Sequence, residues 1–171
     1  DNFDLWDSKH NRWNSVNMGP KKDITGLWRE AALNAGLRFG FTTHLARTYS
    51  WFNVNKGADK SGPYQGVPYD GNNPDYYDFY VESHGDTDLR HPINPPISWR
   101  QTWAARIKDL IDNYQPDFLY FDGGIPFQGD DQAQTGLDVI SYYYNQNMYW
   151  HDGNLEGVMC IKDLPNHGLY V

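Results

Sequence analysis

The chain reads as an α/β protein with parallel strands and one long irregular insertion. Amphipathic helical segments alternate with short runs of strand formers, and at least one helix passes to a strand through a single glycine. Between two such units, residues 47–97 show no sustained period, and a stretch of that length is unusual in a compact domain unless it has a function.

Residues 1–22 are polar and aromatic with turn formers, which predicts a loop. Asp23 is a candidate N-cap for a helix in which Ile24, Leu27, Trp28, Ala31 and Ala32 recur at helical spacing, with Leu33 and Ala35 widening the apolar stripe and Gly36 closing it. Residues 37–46 (LRFGFTTHLA) read as a strand. The excursion over 47–97 is rich in Tyr, Pro and Gly and contains one short expected helix near residues 74–82. A second amphipathic helix follows at 98–114, with Trp99, Trp103, Ile107, Leu110 and Ile111 on one face and Gln115-Pro116 as its stop. Residues 118–124 (FLYFDGG) predict a buried strand ending in an acid, 135–151 a third helix and 155–162 (LEGVMCIK) a further strand. Such repeated alternation implies a parallel sheet.

Composition narrows the function. The 171 residues include 14 Lys and Arg against 22 Asp and Glu, a net charge of −8 with pI about 5.0, which argues against nucleic-acid binding driven by phosphate neutralisation. No segment is apolar enough to span a bilayer. One cysteine, Cys160, excludes an intrachain disulfide framework and a multi-cysteine zinc site, and its place within an expected buried strand favours packing over reactivity. Seven Trp, thirteen Tyr and eight Phe slightly outnumber Ile, Leu and Val together, while mean hydropathy is −0.77. Rings in so polar a chain are expected at a surface or cleft, where flat faces beside carboxylates suit sugars; the plainer reading is a rim of large amphipathic side chains.

The strongest chemical feature is Asp122, placed at the carboxyl end of a strand and followed by two glycines. That is where α/β proteins hold ligands, and the acid there can serve as nucleophile, general base, metal ligand or simple loop cap. His44 stands near the end of the preceding strand and could converge with Asp122, or act as a structural hydrogen-bonding residue. His84, Asp86, Asp88 and His91 offer nitrogen and oxygen donors that could take a divalent metal or form a solvated turn. Asp70, Asn72 and Asp75 match a calcium loop only weakly. There is no Gly-rich phosphate loop and no GxSxG.

Three stretches taken together, Phe3-Asp4-Leu5-Trp6-Asp7-Ser8-Lys9, Trp13-Asn14-Ser15 and Gly19-Pro20-Lys21-Lys22-Asp23, resemble glycoside hydrolase family 29, the retaining α-L-fucosidases. Asp1-Asn2-Phe3 resembles the tail of that family's His-His-Asp-Gly-Phe motif. The order continues through Gly36-Leu37-Arg38-Phe39-Gly40, the strand bearing His44, and Pro116-Asp117-Phe118-Leu119-Tyr120-Phe121-Asp122-Gly123. The resemblance implies a partial (β/α)8 TIM-like barrel, with residues 1–171 the central part of one catalytic domain that takes about 250 residues in full. It implies Asp122 as nucleophile, with His44, Tyr120 and Trp51 around the sugar, no cofactor, and a fucosylated glycan or polysaccharide as substrate. It also favours a secreted, periplasmic or lysosomal setting.

Two departures bear on that expectation. The paired histidines do not precede Asp1, and no acid/base glutamate is evident: Glu156 falls at the wrong end of its strand and Asp163 is only a substitute. The resemblance places the acid/base beyond Val171, which implies an incomplete and inactive piece. A non-catalytic sugar-binding protein on the same barrel and a metal-dependent hydrolase are the alternatives.

Overall fold

The computed structural model describes residues 2–86 and 92–162. Asp23 caps α1 (Ile24–Asn34) through its side chain, which accepts from the Gly26 amide at 2.9 Å. Gly36 ends the helix at φ +70°: its amide donates to Leu33 and that of Leu37 to Ala32, the paired bonds of a left-handed glycine stop. β1 follows as Gly40–Thr43, shorter than the sequence predicts, because the chain turns at His44 into a 3₁₀ segment, Leu45–Arg47.

The excursion is more helical than its composition suggests. It continues as α2 (Thr48–Trp51), the 3₁₀ segments Phe52–Lys56, Asp70–Asn72 and Pro74–Tyr76, and α3 (Tyr77–Tyr80). These elements are single turns, too short to leave a periodic signature. α4 (Ile97–Tyr114), β2 (Phe118–Phe121), α5 (Gln134–Trp150) and β3 (Val158–Ile161) complete the expected order.

The three strands form a parallel sheet in the order β1-β2-β3, with Thr43, Phe121 and Ile161 level at its carboxyl end. Alternation sends Leu119, Phe121 and Met159 into a core with Trp103, Ile107 and Ile111 of α4 and Val139 and Tyr143 of α5. The opposite face of the sheet carries half-open or exposed side chains, including Phe118 and Val158. Cys160 lies on that face and is only partly buried, so the expectation of a packed cysteine is corrected.

The apolar stripe of α1 faces outward: Leu27, Trp28 and Leu33 are exposed, and Thr25 is the buried residue of that helix. The aromatic residues divide between two roles. Trp103, Tyr143, Phe121 and Phe127 sit in the core, whereas Trp28, Tyr64 and Tyr149 face solvent.

The N-terminal loop is fastened to α4 by a buried polar network. Arg106 donates to both carboxylate oxygens of Asp4 and to Asn2 Oδ1. Trp6 Nε1 donates to Asp109 Oδ2 at 2.9 Å while its ring packs with Leu110 and Tyr114.

Candidate functional site

Sheet register assembles the site. His44, Asp122 and Lys162 are each the first residue after β1, β2 and β3, and those strands end level with one another. The backbone at Asp122 is held from both sides: its amide donates to Thr43 O at 3.1 Å, and the Lys162 amide donates to Gly123 O at 2.8 Å and Phe121 O at 3.2 Å. The side chains then meet across the strand ends. His44 Nε2 bonds Asp122 Oδ2, and Lys162 Nζ lies 3.1 Å from Oδ1.

This geometry keeps the carboxyl ionised. Burial alone would push the Asp122 pKa up, but the hydrogen bonds from Lys162 and His44 and their charges outweigh it and hold the group below its ordinary value. An ionised carboxylate only accepts, so His44 Nε2 carries the proton in this pair. The result is an anchored anion that remains one-fifth exposed, a state suited to attacking an electrophilic carbon, taking a proton or holding a cation.

A cleft opens beside it, lined by Thr43, Ala46, Arg47, Trp103, Gly124 and Pro126. Asp122 is the only carboxylate among its described lining residues. The Trp51 ring lies 5.8 Å from that of His44, and the Arg47 guanidinium lies 5.8 Å from the same indole. Tyr120 is two residues back along β2 on the open sheet face, stacked at 6.3 Å with Phe118. The structure therefore brings Asp122 and His44 together in the cleft, with Trp51 beside the histidine, while neither Trp51 nor Tyr120 is among the residues that line it.

The remaining candidates fall elsewhere. His84 stacks on Tyr49 at 3.9 Å, with Nε2 bonded to Tyr49 O at 2.6 Å and Nδ1 accepting from the Asp86 amide at 3.2 Å. Both ring nitrogens are engaged within the protein, which is a structural arrangement. Asp88 and His91 lie outside the described residues, as does Asp163. Among the described residues no three His, Cys, Asp or Glu side chains gather as metal donors. Glu156 pairs with Arg38 at 3.3 Å beside Asp117, at the entry end of the sheet. The four residues of strand between that end and Asp122 span about 13 Å.

Sequence reasoning missed Lys162 and Arg47. A signal for Lys162 was present, because it follows β3 just as Asp122 follows β2. Nothing in the local sequence marks Arg47, which reaches the cleft only through the turn after His44.

A carboxylate held between a histidine and a lysine at the carboxyl ends of parallel strands defines an α/β protein with a strand-end site. The family follows from comparison: the profile described as Alpha-L-fucosidase matches residues 1–166, and the chain belongs to that family. The human plasma alpha-L-fucosidase is 26% identical over 149 residues, covering 85% of this chain and 24% of that protein. A Dictyostelium discoideum alpha-L-fucosidase is 27% identical over 122 residues, 71% of this chain and 20% of its own length. Among solved structures, a Thermotoga maritima alpha-fucosidase in complex with fucose is similar at TM-score 0.51 and 26% identity, covering 92% of this chain and 28% of that one. The same enzyme with a mechanism-based inhibitor gives TM-score 0.53 at 25% identity, covering 98% and 30%. The chain thus spans about a quarter of the length of the curated relatives it matches.

Proposed function

We propose that this chain is the nucleophile-bearing central part of a retaining, exo-acting alpha-L-fucosidase, and that Asp122 is the nucleophile. The observation that supports it most is the anchored, ionised Asp122 carboxylate at the mouth of the cleft. A sheet with helices on one face and a half-open opposite face fits a segment of a (β/α)8 barrel, whose interior that second face would line.

In this mechanism one Asp122 oxygen attacks the anomeric carbon of a terminal fucosyl unit as the bond to the leaving oxygen breaks. A second carboxyl group protonates that oxygen, then takes a proton from the water that hydrolyses the fucosyl-aspartate ester. The two carboxyl groups of a retaining pair stand about 5–5.5 Å apart. No second one lines the cleft among the described residues, and on this reading the acid/base is a residue outside them. His44 contacts sugar hydroxyls while orienting Asp122, Trp51 forms a wall, and Tyr120 packs near the sugar once the barrel interior is complete. Fucosylated glycans are the substrate, and this two-carboxyl chemistry uses no cofactor.

The test is hydrolysis of an aryl α-L-fucoside by the full-length protein. Asp122→Asn and Asp122→Gly are expected to lower kcat by a factor on the order of 10⁴ or more. Near wild-type turnover by a folded variant overturns the nucleophile assignment, and a first-formed product of inverted configuration overturns retention. Fucose binding without turnover by the unmutated protein would favour a sugar-binding role instead. The 171-residue chain alone is expected to be inactive, and turnover by it would contradict the placement of the second carboxyl.

A further inference from the structure

The insertion builds a second concavity, separate from the cleft at Asp122. From Trp51, which touches His44, the chain runs through Phe52–Lys56, and Asn55 of that segment lines a groove of about 390 Å³. Its other walls are Asp59, Tyr64, Val67, Tyr69, Asp70 and Tyr80. Four residues of chain, about 8 Å of 3₁₀ rise, separate Asn55 from the ring beside His44.

The groove is held in shape by its own loop. Ala58 bridges Pro68 and Asp59 bridges Gln65, while the Tyr69 amide and Asn72 Nδ2 both donate to Gly57 O, at 3.0 and 2.9 Å. The Lys56 ammonium donates to the carbonyls of Gly71 at 2.6 Å, Tyr80 at 3.3 Å and Val81, closing the base. On this frame Tyr64 stands 67% exposed and Val67 54% exposed. Tyr69 is fixed by its hydroxyl, which donates to Asp59 Oδ1 at 2.8 Å.

We propose that this groove is a carbohydrate subsite for a neutral pyranose unit of an extended glycan, adjacent to the unit at Asp122. Placing it beside a fucosyl unit rests on the proposed function; its capacity to bind sugar does not. Open rings and Val67 supply flat apolar surface for the C–H face of a sugar, and the carboxylates of Asp59 and Asp70 accept from hydroxyls. Those two carboxylates, within a chain of net charge −8, disfavour an anionic sugar.

Calorimetric titration of the full-length protein carrying Asp122→Asn, which does not consume the ligand, with a neutral fucosylated trisaccharide tests this, each further variant being made in that background. Tyr64→Ala is expected to weaken binding about tenfold, and Asp59→Asn to weaken it in the same direction. Tyr149→Ala, which removes an exposed ring on α5, is the control and leaves the affinity unchanged. Wild-type affinity in both groove variants, loss of affinity in the control, or equal binding of a sialylated trisaccharide overturns the proposal. Aryl fucoside hydrolysis is measured separately: its absence overturns the fucosidase reading, while the titration alone decides the groove.

Discussion

Lys162 Nζ lies 3.1 Å from Asp122 Oδ1 because the two residues follow adjacent parallel strands that end at the same level. Strands about 4.8 Å apart bring such side chains within contact range without any local motif. The lysine faces the histidine across the carboxylate, so each oxygen of Asp122 has its own partner. This sets both the charge and the orientation of the acid.

Removing that lysine changes a pH profile. Asp122 is held below its ordinary pKa, so its ionised form persists as pH falls through the usual carboxylate range. The stability linked to this ionisation is present above the unfolded-state pKa and is lost as pH falls through the lower, folded value. In the full-length protein, Lys162→Met is expected to move the acid limb of kcat/KM for an aryl fucoside upward in pH and to lower its plateau roughly tenfold. Lys162→Arg is expected to restore the limb, and an unshifted limb in Lys162→Met counts against the role.

The buried pair Asp4 and Arg106 carries stability rather than chemistry. Both side chains are almost fully enclosed, and Asp4→Ala strands a guanidinium that, among the described residues, retains Asn2. Breaking such a pair from one side costs about 3–5 kcal/mol. Urea denaturation of the variant would measure this, and a loss below 1 kcal/mol would show that water reaches Arg106.

Asn147 organises the entry to β3. Its Oδ1 accepts from the amides of Glu156 and Gly157, both at 2.8 Å, and the residue is 1% exposed. Asn147→Ala leaves these donors unpaired, at a cost of about 2–3 kcal/mol. Gly157→Ala is expected to destabilise as well, since a Cβ there would lie 2.6 Å from the Tyr143 hydroxyl oxygen. Unchanged thermal melting of either variant would contradict this packing.

Gln115 offers a gain. It ends α4 at φ +44°, a conformation that costs a non-glycine residue about 1–2 kcal/mol. Gln115→Gly is expected to raise Tm by a few degrees, and a lowered Tm would mean that the glutamine side chain matters more than its strain.

Much of this was legible because short-range rules govern it. The Asp23 cap, the Gly36 stop, the spacing of Trp103, Ile107 and Ile111, and the acid closing β2 are all statements about neighbours within one or two turns. The short helix expected near residues 74–82 is found as Pro74–Tyr76 and Tyr77–Tyr80, whereas the other short turns of the insertion were hidden because so few residues cannot show a period. The outward facing of the α1 stripe was not legible, because periodicity identifies an apolar face and leaves its covering unspecified.

The sequence by itself determined the parallel α/β alternation, the family and the place of Asp122 and His44 at strand ends, since each is encoded in local pattern and motif. The tertiary structure alone decided that Lys162 shares the Asp122 carboxylate, that Arg47 reaches the cleft, that Glu156 lies at the far end of the sheet and that Tyr64 and Tyr69 frame a groove. Strand register and loop closure join residues tens of positions apart, and no spacing along one chain carries that information.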